Sequence, residues 1–210
     1  MKKFFSILII LLLSSSCFAY NDYSQVKGDF EIFNLGDRFE AVQDKFNYLL
    51  AKKEISLKSM CQDFGKGSGG VFLQDMIVFD QETTVSLWID ANDGLYDIHI
   101  SFASVSEEQY NTLKKIVVQR VVPNFISLYG EPSIYNDFPI LDDLKKDLVK
   151  VTAGFYASKH IAIWKLNSKI ILLTLSWIIS NEIEIDHRKP CIFSIEIMTQ
   201  TAFQKRLNAM

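Results

Sequence analysis

The chain has 210 residues, 49% of them hydrophobic and 22% charged, and its formal net charge is −3. This hydrophobic content is ample for a packed core and excludes a disordered chain. The mild negative charge argues against a nucleic-acid partner, because phosphate binding needs clustered Lys and Arg. The longest basic cluster is the pair Lys205-Arg206.

The N-terminus has the three-part pattern of a secretory signal peptide. Lys2 and Lys3 supply positive charge, residues 4–13 are apolar apart from one Ser, and a mostly small stretch follows to Ala19. The apolar part is shorter than the roughly 20 residues that span a bilayer. We therefore predict that residues 1–19 are a cleaved signal peptide and that residues 20–210 form a single exported domain, periplasmic or secreted. Loss of Lys2 and Lys3 changes the net charge from −3 to −5.

Two cleavage sites compete in this signal. Cleavage between Ala19 and Tyr20 follows the small-x-small rule, since Cys17 and Ala19 occupy the small positions. Cleavage before Cys17 would instead give a lipoprotein, although Ser14 stands where such signals usually have Leu. We favour the first site and a free domain. The second is the alternative, a lipid anchor at Cys17, and membrane contact is expected in that case alone.

The first half of the exported domain is predicted to be one helix followed by three strands. After a polar lead-in at residues 20–28, Asn34 or Asp37 can cap a helix that runs to about Lys53, with apolar residues every three to four positions. A glycine-rich loop follows at residues 65–70. The predicted strands are Val71–Phe79, Thr83–Ile89 and Leu95–Phe102, the last two joined by a turn at Asp90–Gly94.

The second half repeats this order. A helix begins near Ser106, is kinked or interrupted at Pro123 and ends at Gly130. A shorter helix covers Ile140–Val149. The remaining predicted elements are the strands Ala153–Leu166, Lys169–Ser180 and Cys191–Gln200, and one or two helical turns at Ala202–Leu207.

Consecutive strands, rather than strands alternating with helices, indicate an α+β fold with an antiparallel sheet. We predict about six strands in two helix-then-three-strand units, a weak repeat of residues 30–105 and 106–200, with the helices on one face of the sheet. Within the strand Leu95–Phe102, alternation puts Tyr96, Ile98, Ile100 and Phe102 toward the core, and Asp97, His99 and Ser101 on the other face.

Two short motifs resemble pieces of known exported proteins. Leu35-Gly36-Asp37 opens a predicted helix, and Leu128-Tyr129-Gly130-Glu131-Pro132 closes one ahead of a hairpin. Both are similar to segments of the BamE-like and β-lactamase-inhibitor-protein-like families. The resemblance implies a helix-plus-sheet unit, sometimes doubled, that binds other proteins in the cell envelope. It carries over no individual binding residue.

Cys17 belongs to the signal region. The remaining cysteines, Cys61 and Cys191, are present in the mature chain whichever cleavage site is used. An oxidising compartment favours a disulfide between them, which we therefore predict. Separate buried thiols are the alternative.

Candidate contact residues come from charge and side-chain alternation. In an extended segment, Glu182, Glu184 and Asp186 would share one side, where they form an acidic face for a basic partner, a solvated edge or a catalytic carboxylate group. Trp88 alternates with Val85, Leu87 and Ile89 and is therefore the tryptophan expected away from the core, as a contact anchor.

The lack of a recognisable catalytic motif in the sequence favours a binding function over catalysis. The spacing in residues 65–70 and 90–101 departs from that of phosphate and calcium loops, and we expect no catalytic residue, cofactor or metal site. The leading hypothesis is a non-enzymatic exported protein-binding domain, such as an inhibitor, an immunity protein or an envelope assembly factor. The alternatives are a periplasmic hydrolase that uses the acidic group at 182–186 with His99, and a small-ligand or lipid carrier between helices and sheet.

Overall fold

The computed structural model describes residues 27–151, 154–180 and 190–208. The chain contains both helices and strands, and its fold is of the α+β type. The helical elements are α1 (Phe39–Lys52), α2 (Tyr110–Ile116), a π-helical turn (Val117–Val121), α3 (Val122–Tyr129), α4 (Leu141–Lys146) and α5 (Gln200–Asn208). The strands are β1 (Met60–Gly65), β2 (Ser68–Val78), β3 (Gln81–Asp90), β4 (Gly94–Phe102), β5 (Ile134–Tyr135), β6 (Val149–Val151), β7 (Gly154–Lys165), β8 (Lys169–Ser180) and β9 (Cys191–Thr199).

The nine strands form one antiparallel sheet in the order β1-β2-β3-β4-β9-β8-β7-β5, with β6 paired to β7. Strands β4 and β9, the last strands of the two halves of the chain, pair at the centre of the sheet, where His99 lies opposite Glu196. Antiparallel α+β architecture agrees with the prediction, but the sheet is larger than six strands. The strands missed from the sequence are β1, which is largely exposed and lacks apolar alternation, and the very short β5 and β6.

The main core lies between one face of the sheet and the helices α1 to α4. Strand residues such as Leu87, Ile98 and Phe193 are fully buried there, together with Val42 of α1 and Val117 of the π-helical turn. Removing this apolar surface from water supplies the main driving force for folding. We call the opposite face of the sheet the open face.

The C-terminal helix α5 departs from the expectation that all helices cover one face. It lies on the open face, where Ala202 and Phe203 pack on a second apolar cluster separate from the main core. That cluster consists of Ile163, Ile170, Leu172 and Met198. Since α5 follows β9 without a loop, the chain turns directly from the end of this central strand onto the open face.

The helix before β5 is interrupted at the position that Pro123 predicts. Proline has no N–H to donate into the preceding turn. The helix changes to π geometry just ahead of it, and the N–H of Val122 donates to the carbonyl of Val117. The helix then ends at Gly130, whose φ of +77° lies in the region that favours glycine.

The glycine-rich segment forms a turn between two strands together with the strand residues on either side of it. Lys66 and Gly67 form the turn between β1 and β2, whereas Gly69 belongs to β2. A Cβ on Gly69 would come within 2.2 Å of the Phe39 ring, so the absence of a side chain lets α1 approach the sheet.

Candidate functional site

The centre of the open face is polar. Antiparallel register places Asp97, His99 and Ser101 of β4 beside Glu196 and Ser194 of β9. Asp97, Ser194 and Glu196 are buried, although they point away from the main core. Buried polar groups on a sheet face need partners, and here the C-terminal helix supplies part of them.

Arg206 of α5 binds the two buried carboxylates. One guanidinium nitrogen lies 3.0 Å from Asp97 Oδ2, and the other donates to Glu196 Oε2. Burial, together with the nearby Glu196 charge, raises the pKa of Asp97 to about 6, against the opposing effect of Arg206. Asp97 Oδ1 accepts no hydrogen bond among the described residues. The carboxylate pair is therefore held by one arginine from a surface helix.

His99 is hydrogen-bonded within the same polar centre. Its Nε2 lies 2.8 Å from Ser101 Oγ, and its Nδ1 lies 3.9 Å from Glu196 Oε1. Burial lowers the pKa of His99, which favours the neutral imidazole. On β7, His160 Nδ1 lies 3.0 Å from Thr174 Oγ1, and burial lowers the pKa of His160 as well.

An aromatic patch lies beside the polar centre, toward the β1 edge of the open face. The Trp88 ring is 5.4 Å from that of Phe72 in an edge-to-face arrangement and 6.5 Å from that of Phe64. Met60 and Phe64 are 55% and 52% exposed. We use the name aromatic patch for these four residues: Met60, Phe64, Phe72 and Trp88.

The three tryptophans lie on two different faces of the sheet. Trp164 and Trp177 are buried in the main core, whereas Trp88 is half-buried and lies on the open face. The predicted contact residue Trp88 is therefore placed on the face that the helices of the main core leave uncovered.

A cavity of about 600 Å³ separates Trp88 from α5. Its wall includes Tyr96, so the prediction from alternation that Tyr96 faces the core is wrong. The register between β3 and β4 shifts at Trp88/Ile89, and this β-bulge brings Tyr96 to the cavity. A bulge has no reliable signal in a single sequence, so this residue could not be placed from the pattern.

The predicted disulfide is not formed. Cys61 and Cys191 are both free thiols. Cys61 lies on the edge strand β1, and Cys191 begins β9, with three strands between them. Four strand spacings amount to about 19 Å. A disulfide needs Cα atoms within about 7 Å. Chain spacing alone cannot reveal this separation.

Several predicted site residues lie outside the described residues. These are the acidic group Glu182, Glu184 and Asp186, the cleavage position Ala19/Tyr20, and Cys17. In the part of the chain that the structure describes, no helix is long and apolar enough to span a membrane. The same residues contain no group of three or more His, Cys, Asp or Glu side chains suited to a metal ion.

Sequence reasoning missed the electrostatic centre of the open face. Glu196 lies within an apolar strand, and Arg206 belongs to a tail predicted to form only a turn or two of helix. A single acidic residue in β9 and a basic pair near the C-terminus do not indicate a site in the sequence. They form ion pairs only because α5 folds back over β4 and β9. No family model, curated protein or solved structure matches this chain. The resemblance of the two short motifs therefore stays a prediction.

Proposed function

We propose that the chain is an exported, non-enzymatic protein-binding domain that contacts its partner through the open face. The observation that carries the proposal is the aromatic patch. Met60 and Phe64 are more than half exposed, and they lie beside the ring contacts of Phe72 and Trp88. Contiguous exposed apolar surface of this kind is typical of interaction sites.

The composition of the patch favours a protein as the partner. Tryptophan, phenylalanine and methionine are enriched in the cores of protein interfaces, where they fill pockets at low entropic cost. The neighbouring polar centre, with Ser101 and His99 partly exposed, offers hydrogen-bonding groups around an apolar anchor. This arrangement of apolar core and polar rim is that of a protein-binding surface.

The acidic segment extends the proposal to a second contact. Glu182, Glu184 and Asp186 carry three negative charges in five residues. Such a cluster steers a basic partner and accelerates association more than it strengthens the complex. Replacing all three by their amides should therefore slow association and weaken its salt dependence.

The main experiment is affinity capture from periplasmic extract with the mature chain, which begins at Tyr20. We expect Phe64→Ala and Trp88→Ala to lose a partner that the wild-type chain retains, because truncation of an interface anchor typically costs about 2 kcal/mol or more. Leu128→Ala and Ile140→Ala are the matched controls, since both residues are exposed and belong to the helical side. Equal capture by all four variants would refute the proposed surface.

A hydrolase is the second candidate, and one observation favours it. Asp97, with a pKa raised to about 6, lies at a cavity whose wall includes Trp88 and Tyr96, and Glu196 is close by. A partly protonated acid paired with a second carboxylate is the arrangement of glycosidases.

The hydrolase candidate is tested with chromogenic glycosides and esters. It predicts turnover by the wild-type chain that Asp97→Asn abolishes and Asp75→Asn, an exposed control carboxylate, retains. Absence of turnover by the wild-type chain, or full turnover by Asp97→Asn, would eliminate it.

A further inference from the structure

The C-terminal helix α5 covers the open face without being buried in it. None of its residues is buried, and its apolar contact is made by Ala202 and Phe203. Its other contacts are polar: Arg206 pairs with Asp97 and Glu196, Lys205 Nζ lies 2.6 Å from Asp93, and Gln200 Nε2 donates to the carbonyls of Leu166 and Asn167. Elements with few buried contacts are those that detach most readily from a folded protein.

Open space flanks α5 on both sides. One cavity, of about 600 Å³, lies between the helix and Trp88, and a second, of about 660 Å³, is lined by Lys165, Ile170 and the outer residues of α5. Both spaces are open to solvent, so α5 contacts the sheet along one side and leaves its flanks accessible.

The surface beneath α5 is both apolar and acidic. Its apolar part is the cluster Ile163, Ile170, Leu172 and Met198, and its acidic part is formed by Asp93, Asp97 and Glu196. We call these seven residues the α5 site. The helix that occupies it is complementary, since Lys205 and Arg206 pair with the acids while Ala202 and Phe203 cover the apolar residues.

We propose that the α5 site receives a basic amphipathic helix of the partner protein, which takes the place of α5. The inference rests on the proposed function and names the partner's chemistry. The charge complementarity is the same as that of α5, with cationic side chains toward Asp97 and Glu196 and apolar side chains toward Leu172 and Met198. Helix-in-groove recognition uses this combination of apolar anchors and peripheral charge. The aromatic patch, whose residue Trp88 lines the cavity beside α5, then contacts the rest of the partner.

The exchange is tested with a labelled peptide that has the sequence of residues 199–210. A hydrocarbon staple in place of Gln204 and Asn208, an exposed pair one turn apart, reduces the cost of forming the helix. The peptide is titrated into the full mature chain. In the wild-type chain, the tethered helix competes at an effective concentration on the order of millimolar, so binding is weak.

We expect the full chain with Arg206→Glu to bind the peptide at least about tenfold more tightly than the wild-type chain, because its own helix is repelled by Asp97 and Glu196. Phe203→Ser is the second variant, since it removes the apolar contact and leaves the charges. It should also bind more tightly. Lys145→Glu, on the helical side, is the control and should behave as the wild type. Circular dichroism checks that each variant is folded.

Equal affinity of the wild type and both variants would overturn the proposal, as would absence of binding by every form at about millimolar concentration. A peptide with Glu in place of its Arg should bind the variants more weakly, and equal binding would count against the charge pairing. Dimerisation of the mature chain through its own α5 would assign the site to a second copy instead, which contradicts a partner helix.

Partner capture separates this inference from the proposed function. If Trp88→Ala loses the partner while Arg206→Glu leaves capture unchanged, the α5 site is not used and the proposed function stands. If Arg206→Glu binds the peptide more tightly while Trp88→Ala retains the partner, the aromatic patch is not the contact surface.

Discussion

At the residue scale, Asp97 shows how the open face holds charge. Its carboxyl is buried, shares Arg206 with Glu196 and leaves Oδ1 without a hydrogen bond among the described residues. An unpaired buried oxygen costs about 1–3 kcal/mol. Arg206 therefore offsets only part of the cost of burying this carboxyl.

The raised pKa of Asp97 predicts a pH dependence of stability. Between the ordinary pKa of 3.8 and about 6, the folded chain binds more protons at this carboxyl than the unfolded chain does, so the free energy of unfolding falls as the pH rises. Two pKa units correspond to about 3 kcal/mol as an upper bound. Relative to Asp97→Asn, the wild type should lose stability from pH 4 to pH 7 and show no further change above that range.

Urea unfolding of both proteins at several pH values measures this difference. Burial lowers the pKa of His99 and of His160, and both histidines are present in the two proteins that are compared. A stability difference that is independent of pH would show that Asp97 is not perturbed in the folded chain.

At the element scale, most of the helices and strands could be predicted from the sequence. Apolar alternation indicates β3, β4, β8 and β9, and Pro123 marks the helix interruption. The edge strand β1 could not be predicted, since its residues are mostly exposed and carry no alternation. Pairing of distant strands is likewise invisible in local patterns, because it depends on the order of strands in the sheet.

The same limit applies to helix starts. The prediction that Asn34 or Asp37 caps α1 is wrong, because Arg38 is the cap residue and makes no side-chain cap hydrogen bond. Asp37 Oδ2 accepts from the Asn34 N–H and from Lys45 instead. A polar side chain near a helix start has several competing partners, and tertiary structure decides among them.

The separation of β1 and β9 predicts two free thiols in the mature chain. Burial raises the pKa of the Cys191 thiol to about 12, and burial with the nearby Asp63 raises that of Cys61. We expect Cys61, which is half-buried, to react slowly with a thiol reagent in the folded chain, and Cys191 to react after unfolding. Mass spectrometry without reductant checks the prediction; a mass two hydrogens lower, with no reactive thiol in denaturant, would indicate a disulfide.

At the scale of the whole molecule, the two faces of the sheet differ in what covers them. One face is packed by α1 to α4 into the main core, and the other has α5 together with an exposed aromatic patch. The sequence predicts that one face of β4 is polar and, separately, that Trp88 lies away from the core. The sequence does not show that residues 60, 97, 196 and 206 lie on one surface, because their proximity depends on the order of the strands in the sheet.

Side-chain footprinting of the complex tests the open face most directly as the contact surface. Hydroxyl radicals label exposed methionine, aromatic and aliphatic side chains, so the mature chain is labelled alone and with the captured partner. We expect several-fold lower labelling of Met60, Phe64 and Trp88 in the complex, with unchanged labelling of Leu128 and Ile140 on the helical side. Protection of the helical side with an unprotected aromatic patch would contradict it.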